Sequence, residues 1–268
     1  MIGYASLNEV RIVFEDAGSG PVVLLLHGIP TQRSLWHKVT PHLLRRGLRS
    51  IAPDLAGFGA SDAPPGVDIH VENQAAWMAL LLRRLGVNRA VVVGHDIGGA
   101  VAQIMGVRHS RSVAGLVLVD SVFGDSWPVE TMRRLADWDP AAAGKLHDLF
   151  VERLPGATTV NGMSDEEIRE LMAPYEGDEG GLRLIRMARS LDSRHTLAIA
   201  AELSRLEVPI ALVWGDHDTS QPLETVGRPL GRALGVEPLV VRAGHFSPLD
   251  APAEIAGEIA RIALEAAR

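Results

Sequence analysis

The sequence predicts an α/β fold, a mostly parallel twisted sheet with helices on both faces and a helical cap inserted after the sixth strand. Three observations carry that reading. Short, continuously apolar runs of the kind that form doubly covered strands alternate with helical spacing through the first half of the chain. From about Asp125 to Arg205 the pattern changes to charged, helix-forming sequence with no β-branched run. The buried-strand pattern then returns before the C-terminus. The expected partition is a core of residues 1–124 and 206–268 and a cap of residues 125–205.

In chain order, EVRIVFEDAG reads as an early strand and PVVLLLHGIP as a buried strand running into a turn. RSLWHKVTPHLLRRG is helix-like, and LRSIAPDLAGFGASD is a strand ending in a glycine-rich loop. VENQAAWMALLLRRLGV carries apolar residues at helical spacing. VVVGHDIGGAVAQ joins a strand to a helix through a tight glycine-rich turn, and VAGLVLVD is the next strand. VETMRRLADW, AAAGKLHDLFVERL, SDEEIRELM and GLRLIRMARSL form short amphipathic helices separated by Pro and Gly. VPIALVWGDHD and VEPLVVRAGHF restore the strand pattern, and PAEIAGEIARIALEAA closes the chain as a helix.

Composition narrows the function. With no cysteine there is neither a disulfide framework nor a thiol nucleophile, which suits a reducing, cytoplasmic setting. No basic segment followed by an apolar stretch opens the chain, and no run is long enough to cross a bilayer. The formal charge of −7 is spread along the sequence, and Arg183, Arg186 and Arg189 read as a solvated helix face, so neither nucleic acid nor membrane is an expected partner. The expected partner is a small-molecule substrate, with no cofactor; the oligomeric state is not encoded in any feature.

Four motifs then fall in order. Gly94-His95-Asp96-Ile97-Gly98-Gly99 has the outline of a nucleophile elbow, where small residues two positions from the nucleophile relieve a crowded backbone. An ordinary strand-to-helix turn with Asp96 as N-cap is the alternative. His27–Pro30 (HGIP) follows a buried strand. VWGDHD offers Asp218, and RAGHFSPLDAP offers His245 between the last strand and the last helix. Asp216, His217 and Asp218 could be read as a metal cluster, but neighbours in one loop rarely converge on one ion, and no metal is expected.

Together these motifs resemble the α/β-hydrolase superfamily over nearly the whole chain, in its aspartate-nucleophile branch of epoxide hydrolases and haloalkane dehalogenases. The resemblance implies Asp96 as nucleophile, Asp218 as acid and His245 as base, with Asp120 as the alternative acid. It implies an oxyanion hole from the main-chain N–H groups of Ile29 and Ile97, and a structural His27 that orients its loop.

A carboxylate suits attack on an sp³ carbon bearing a strained oxygen or a halide, because it needs no base to deprotonate it. The helix beginning near Ile97 favours the anion. The product is an alkyl ester of Asp96, whose own carbonyl is then attacked by water activated by His245. The leaving group separates the branches. Dehalogenases of this family hold halide with a Trp directly after the nucleophile and an Asn in the HG-x-P loop; here these are Ile97 and Ile29. Haloacid-type relatives place arginines beside the nucleophile, where this chain has Ile97 and Ala100. Epoxide hydrolases use two cap tyrosines; of Tyr4 and Tyr175, only Tyr175 lies in the cap. Tyr175 is the expected oxirane activator and Trp127 the next candidate, with Trp138, His147 and His195 behind them and Trp36 assigned to packing. The expected activity is an epoxide hydrolase giving a vicinal diol. The alternatives are a haloalkane or haloacid dehalogenase, an esterase or lactonase, and a non-catalytic ligand-binding relative.

Overall fold

The computed structural model describes residues 1–268. Eight strands form one sheet: β1 (Ile2–Leu7), β2 (Val10–Ala17), β3 (Val22–Leu26), β4 (Arg49–Pro53), β5 (Ala90–His95), β6 (Val113–Val119), β7 (Ile210–Gly215) and β8 (Leu239–Val241). Their order is β1-β2-β4-β3-β5-β6-β7-β8; β1/β2 and β2/β4 are antiparallel and the rest parallel. The helices are α1 (Thr40–Leu44), α2 (Val71–Arg84), α3 (Ile97–Arg108), α4 (Glu130–Ala136), α5 (Leu146–Thr158), α6 (Asp165–Met172), α7 (Gly177–Arg189), α8 (Arg194–Leu197), α9 (Ala200–Leu203), α10 (Arg228–Leu234), α11 (Ser247–Asp250) and α12 (Pro252–Ala266).

β5 is buried along its whole length, as a central strand covered on both faces must be. The two faces can be read from adjacent residues of β6. A Cβ on Gly115 would meet Ile262 of α12, whereas Leu116 packs under Gly106 of α3, and successive strand residues point to opposite faces. α3 packs beside α2, and α12 beside α1.

Sequence reasoning missed β1, an edge strand whose Ile2 and Tyr4 face solvent and so blur the alternation expected of a half-buried strand. The helix read through RSLWHKVTPHLLRRG is broken into a 3₁₀ turn at Arg33–Trp36 and the five-residue α1, which starts next to Pro41. Pro155, read as part of a separator, lies inside α5.

Two features of this frame position the site. The parallel registers align Leu26 with Gly94, His95 with Val119, Val119 with Val213 and Gly215 with Val241. The loops carrying Ile29, Asp96, Asp120, Asp218 and His245 therefore leave one edge of the sheet together. The chain also reverses direction of sheet growth between β4 and β5, on either side of β3, which opens the crevice where α/β sheets bind ligands.

Between β6 and β7 the chain makes only helices, α4 to α9. Their buried apolar residues, including Leu135, Leu154, Leu184 and Ile185, join the sheet's own in one continuous core. Polar latches reinforce the contact. Arg183 donates to Gly59 O at 2.8 Å, and Arg186 donates to the carbonyls of Ala63 (2.5 Å), Pro64 (2.9 Å) and Val67 (2.9 Å). Of the three arginines read as a solvated face, Arg183 and Arg186 thus satisfy loop carbonyls after β4 and Arg189 donates to Ala136 O at the end of α4, roles that helical spacing alone cannot reveal.

Candidate active site

The turn after β5 forces Asp96 into φ 52°, ψ −120°, a conformation that costs a non-glycine residue about 1–3 kcal/mol. That geometry folds the chain back on itself. A Cβ on Gly94 would lie 2.2 Å from Gly98 O, and one on Gly98 would lie 2.5 Å from the carbonyls of Leu26 and His27. Gly99 passes equally close to Ser121. Asp96 makes no side-chain cap to α3, so the N-cap alternative does not describe it. Its carboxylate instead turns toward the HGIP loop, where Ile29 N–H donates to Oδ2 at 3.0 Å, and the Ile97 N–H also faces it. His27 holds that loop in place: its Nδ1 bonds Gly28 O at 2.8 Å and its Nε2 accepts Leu55 N–H at 3.0 Å.

His245 follows β8 in a loop that Asp250 braces by accepting the N–H groups of Gly244 and Val160, both at 2.9 Å. The ring Nδ1 lies 2.9 Å from Asp218 Oδ2, and Nε2 lies 3.8 Å from Asp96 Oδ1. Asp218 uses its other oxygen, Oδ1, to accept Ser220 N–H (2.7 Å) and Gln221 N–H (2.9 Å). Asp120 is placed differently. It is fully buried at φ 43°, accepts Gly215 N–H at 2.7 Å and is bonded by the Ser247 hydroxyl, with no bond to His245. The structure thus puts Asp218, not Asp120, on the imidazole.

Electrostatics follow burial and pairing. Burial pulls the His245 pKa down, but the charge and hydrogen bond of Asp218, then the charges of Asp96 and Asp120, push it up to about 9. Burial raises the Asp96 carboxyl, opposed by His245 and by the Ile29 and Ile97 N–H groups. Burial and the neighbouring charge of Asp218 raise Asp120 well above the carboxylate range. His95, lowered by burial and held neutral, donates Nε2–H to His245 O at 2.7 Å and fixes that loop from below. Nothing in the sequence marked His95 for this role.

A cavity of about 560 Å³ opens over these groups, with Asp96, Ile29 and His245 at its floor. Leu135, Trp138, Phe150, Leu154 and Phe246 make its walls apolar, and Arg134 and Arg153 also border it.

The two leading cap candidates lie elsewhere. Tyr175 is wholly buried outside the cavity; its hydroxyl donates to Thr31 O at 3.3 Å and faces the Gly59 N–H. Trp127 is buried too, with its indole N–H on Thr196 Oγ1 at 3.0 Å. Trp138 borders the cavity but donates to Ala142 O at 3.2 Å. His147 pairs with Asp148 at 3.1 Å, His195 with Glu72 at 3.2 Å, and Trp36 is packed in the core. Asp216 and His217 pair with each other at 2.6 Å, away from Asp218's contacts, so the three do not converge.

One lining residue has no counterpart in the sequence reading. Gln221, buried beside Asp218, accepts a hydrogen bond from Ser126 Oγ at 2.8 Å through its Oε1. Ser126 Oγ already accepts Phe123 N–H at 3.1 Å, so its proton is free to point at the Gln221 carbonyl. In this orientation Nε2 is a donor without a protein partner on the cavity lining. Ser126 and Gln221 are 95 residues apart, and no local motif links them.

A family model described as alpha/beta hydrolase fold matches residues 21–252. "Haloalkane dehalogenase 2" of Mycobacterium tuberculosis is 31% identical over 263 residues, covering 93% of this chain and 90% of that protein. "Bifunctional epoxide hydrolase 2" of Sus scrofa is 35% identical over 128 residues, 47% of this chain and 23% of that protein. The crystal structure of haloalkane dehalogenase DbeA from Bradyrhizobium elkani superposes with a TM-score of 0.83 at 25% identity, covering 100% of this chain and 99% of that one.

Proposed function

The chain belongs to the α/β-hydrolase fold family, in its haloalkane dehalogenase and epoxide hydrolase branch, and from that premise we propose that it hydrolyses a substrate at an sp³ carbon through an alkyl ester of Asp96. One observation carries this reading. Asp96 Oδ2 already accepts the Ile29 N–H and the Ile97 N–H faces the same carboxylate, while Oδ1 faces His245. An ester hydrolase needs those donors free for the substrate's carbonyl oxygen; here they are arranged around the nucleophile's own carboxyl group.

The chemistry follows from that placement. Asp96 Oδ1 attacks the carbon in line, a C–O bond forms, and the carbon–leaving-group bond breaks with its electron pair on the leaving group. Water then attacks Cγ of Asp96 as His245 Nε2 takes its proton, and Oδ2 becomes the oxyanion held by Ile29 and Ile97. Collapse expels the alcohol, which takes the proton from His245 and leaves Asp96 as a carboxylic acid; that remaining proton passes to His245 Nε2 and on to solvent, which restores the carboxylate. Alkylation itself readies the base. It removes the negative charge 3.8 Å from Nε2 that helps hold His245 protonated, so the imidazole loses a proton when a neutral base is needed.

For the leaving group, the position of Tyr175 weighs against the expected epoxide. An opening epoxide needs an acid for its alkoxide, and no tyrosine lines the cavity, since Tyr4 is exposed on β1. A halide departs without a proton and needs only hydrogen-bond donors. We therefore favour a halogenated aliphatic substrate, with Gln221 Nε2 donating to the halide and the apolar wall taking the carbon chain. An epoxide remains the second reading, supported by the 128-residue likeness to the Sus scrofa epoxide hydrolase.

Pre-steady-state kinetics on Gln221→Leu separate these roles. Loss of one donor to a charged leaving group, about 1.5–3 kcal/mol, should slow ester formation by ~10- to 10²-fold and leave ester hydrolysis unchanged. Equal slowing of both steps would assign Gln221 to holding Asp218 instead.

A further inference from the structure

A second cluster of ligating side chains lies where the helices between β6 and β7 return to the core. His70 immediately precedes α2, whereas Asp192 and His195 follow α7. One ligating atom from each can be chosen so that all three lie within 4.8 Å of one another. The two rings meet edge-on with centroids 5.2 Å apart.

The hydrogen bonding around the pair is incomplete. His195 Nε2 is buried and has no partner. His70 Nδ1 is buried as well, and although Asp68 Oδ1 lies 2.6 Å away, the ring is not aimed to bond it. A ring nitrogen withdrawn from water without a partner is costly, and two such nitrogens on adjoining rings beside a carboxylate ask for a shared electrophile. The far side of His195 is already arranged for this: its Nδ1 rests on Glu72 Oε2 at 3.2 Å, a carboxylate contact of the kind that orients a metal-bound histidine and raises its basicity. Asp192 supplies the anionic ligand, its carboxylate oriented by the main-chain N–H and the guanidinium Nε–H of Arg194 at 2.8–2.9 Å.

We propose that His70, Asp192 and His195 form a binding site for a first-row divalent cation of the zinc type, with water completing the coordination. Two imidazoles and one carboxylate are the donor set that suits such an ion. Tetrahedral ligands at ~2.0–2.2 Å stand about 3.4 Å apart, so closing from the present spacing asks for side-chain rotations and no main-chain rearrangement. The bound ion ties the start of α2 to the segment after α7 and so fastens the inserted helices to the sheet. The Arg194 guanidinium, itself exposed, competes with the ion for the Asp192 carboxylate and has to give way when the ion binds.

The test is isothermal titration of the full-length, chelator-treated protein with zinc chloride, repeated with cobalt(II) to read the visible spectrum of the bound ion. One equivalent should bind, and His70→Ala and His195→Ala should each reduce binding to background. His70→Gln and His195→Gln should do the same with side-chain volume kept, and each variant's melting curve checks its fold. Glu72→Gln should weaken binding by ~10- to 100-fold, and Arg194→Ala should tighten it by freeing Asp192. No saturable binding by the wild type up to millimolar zinc, or stoichiometric binding retained by either folded histidine variant, would overturn the proposal.

Discussion

Replacing Asp96 with asparagine should lower the proton affinity of His245 by roughly tenfold to a thousandfold. The substitution keeps the shape of the side chain and removes one negative charge, as alkylation would. That charge lies 3.8 Å from Nε2, and both side chains are almost wholly buried. Coulomb's law gives ~4 kcal/mol at this distance for an effective dielectric of about 20, and ~1 kcal/mol in bulk water. At about 1.4 kcal/mol per factor of ten, these bounds span the range stated. The sign is fixed: a nearby anion favours imidazolium, so its loss moves the titration down from about 9. NMR titration of the His245 ring in the wild type and Asp96→Asn reads it directly. If both rings titrate together near pH 9, Asp96 is not a determinant of His245's charge, and the coupling between alkylation and base activation fails.

The other predictions rest on the same geometry. Asp218→Asn should slow ester hydrolysis by ~10² to 10⁴, because Oδ1 is held by two N–H donors and the new amide NH₂ must then face His245 Nδ1 and impose the wrong tautomer. Asp120→Asn should be mild by comparison, since Asp120 makes no hydrogen bond to His245 and an amide can still accept Gly215 N–H; single-turnover rates that reverse this ranking would transfer the acid role. Tyr175→Phe should leave both chemical steps unchanged and cost about 1 kcal/mol of stability through the lost bond to Thr31 O, and a selective loss of epoxide opening would put its hydroxyl back in the reaction.

What could be read from the sequence was what is encoded locally or by chain order. The elbow is local: a buried strand, glycines at 94 and 98 and a helix leave Asp96 little conformational choice. Asp218 and His245 were readable because a parallel sheet returns each strand end to the same edge, so their order along the chain fixed their relation in space. The partners of the inserted helices were not readable. Tyr175 and Trp127 have the right chemistry for a cleft, but which way each points depends on Thr31, Gly59 and Thr196, distant in sequence. Gln221 and the His70–His195 pair are hidden for the same reason, each made significant by a contact across roughly a hundred residues.

The most direct test of the central claim is the intact mass of His245→Gln after incubation with substrates that the wild-type protein consumes. Without its base, ester hydrolysis should slow by ~10² to 10⁴ while attack by Asp96 continues, so a covalent adduct accumulates. The account predicts a gain equal to a haloalkane less its hydrogen halide, mapped to Asp96; a gain equal to a whole epoxide at the same residue would keep the ester mechanism and change the leaving group. An unmodified protein, with a substrate that the wild type turns over, would contradict the alkyl-Asp96 ester itself.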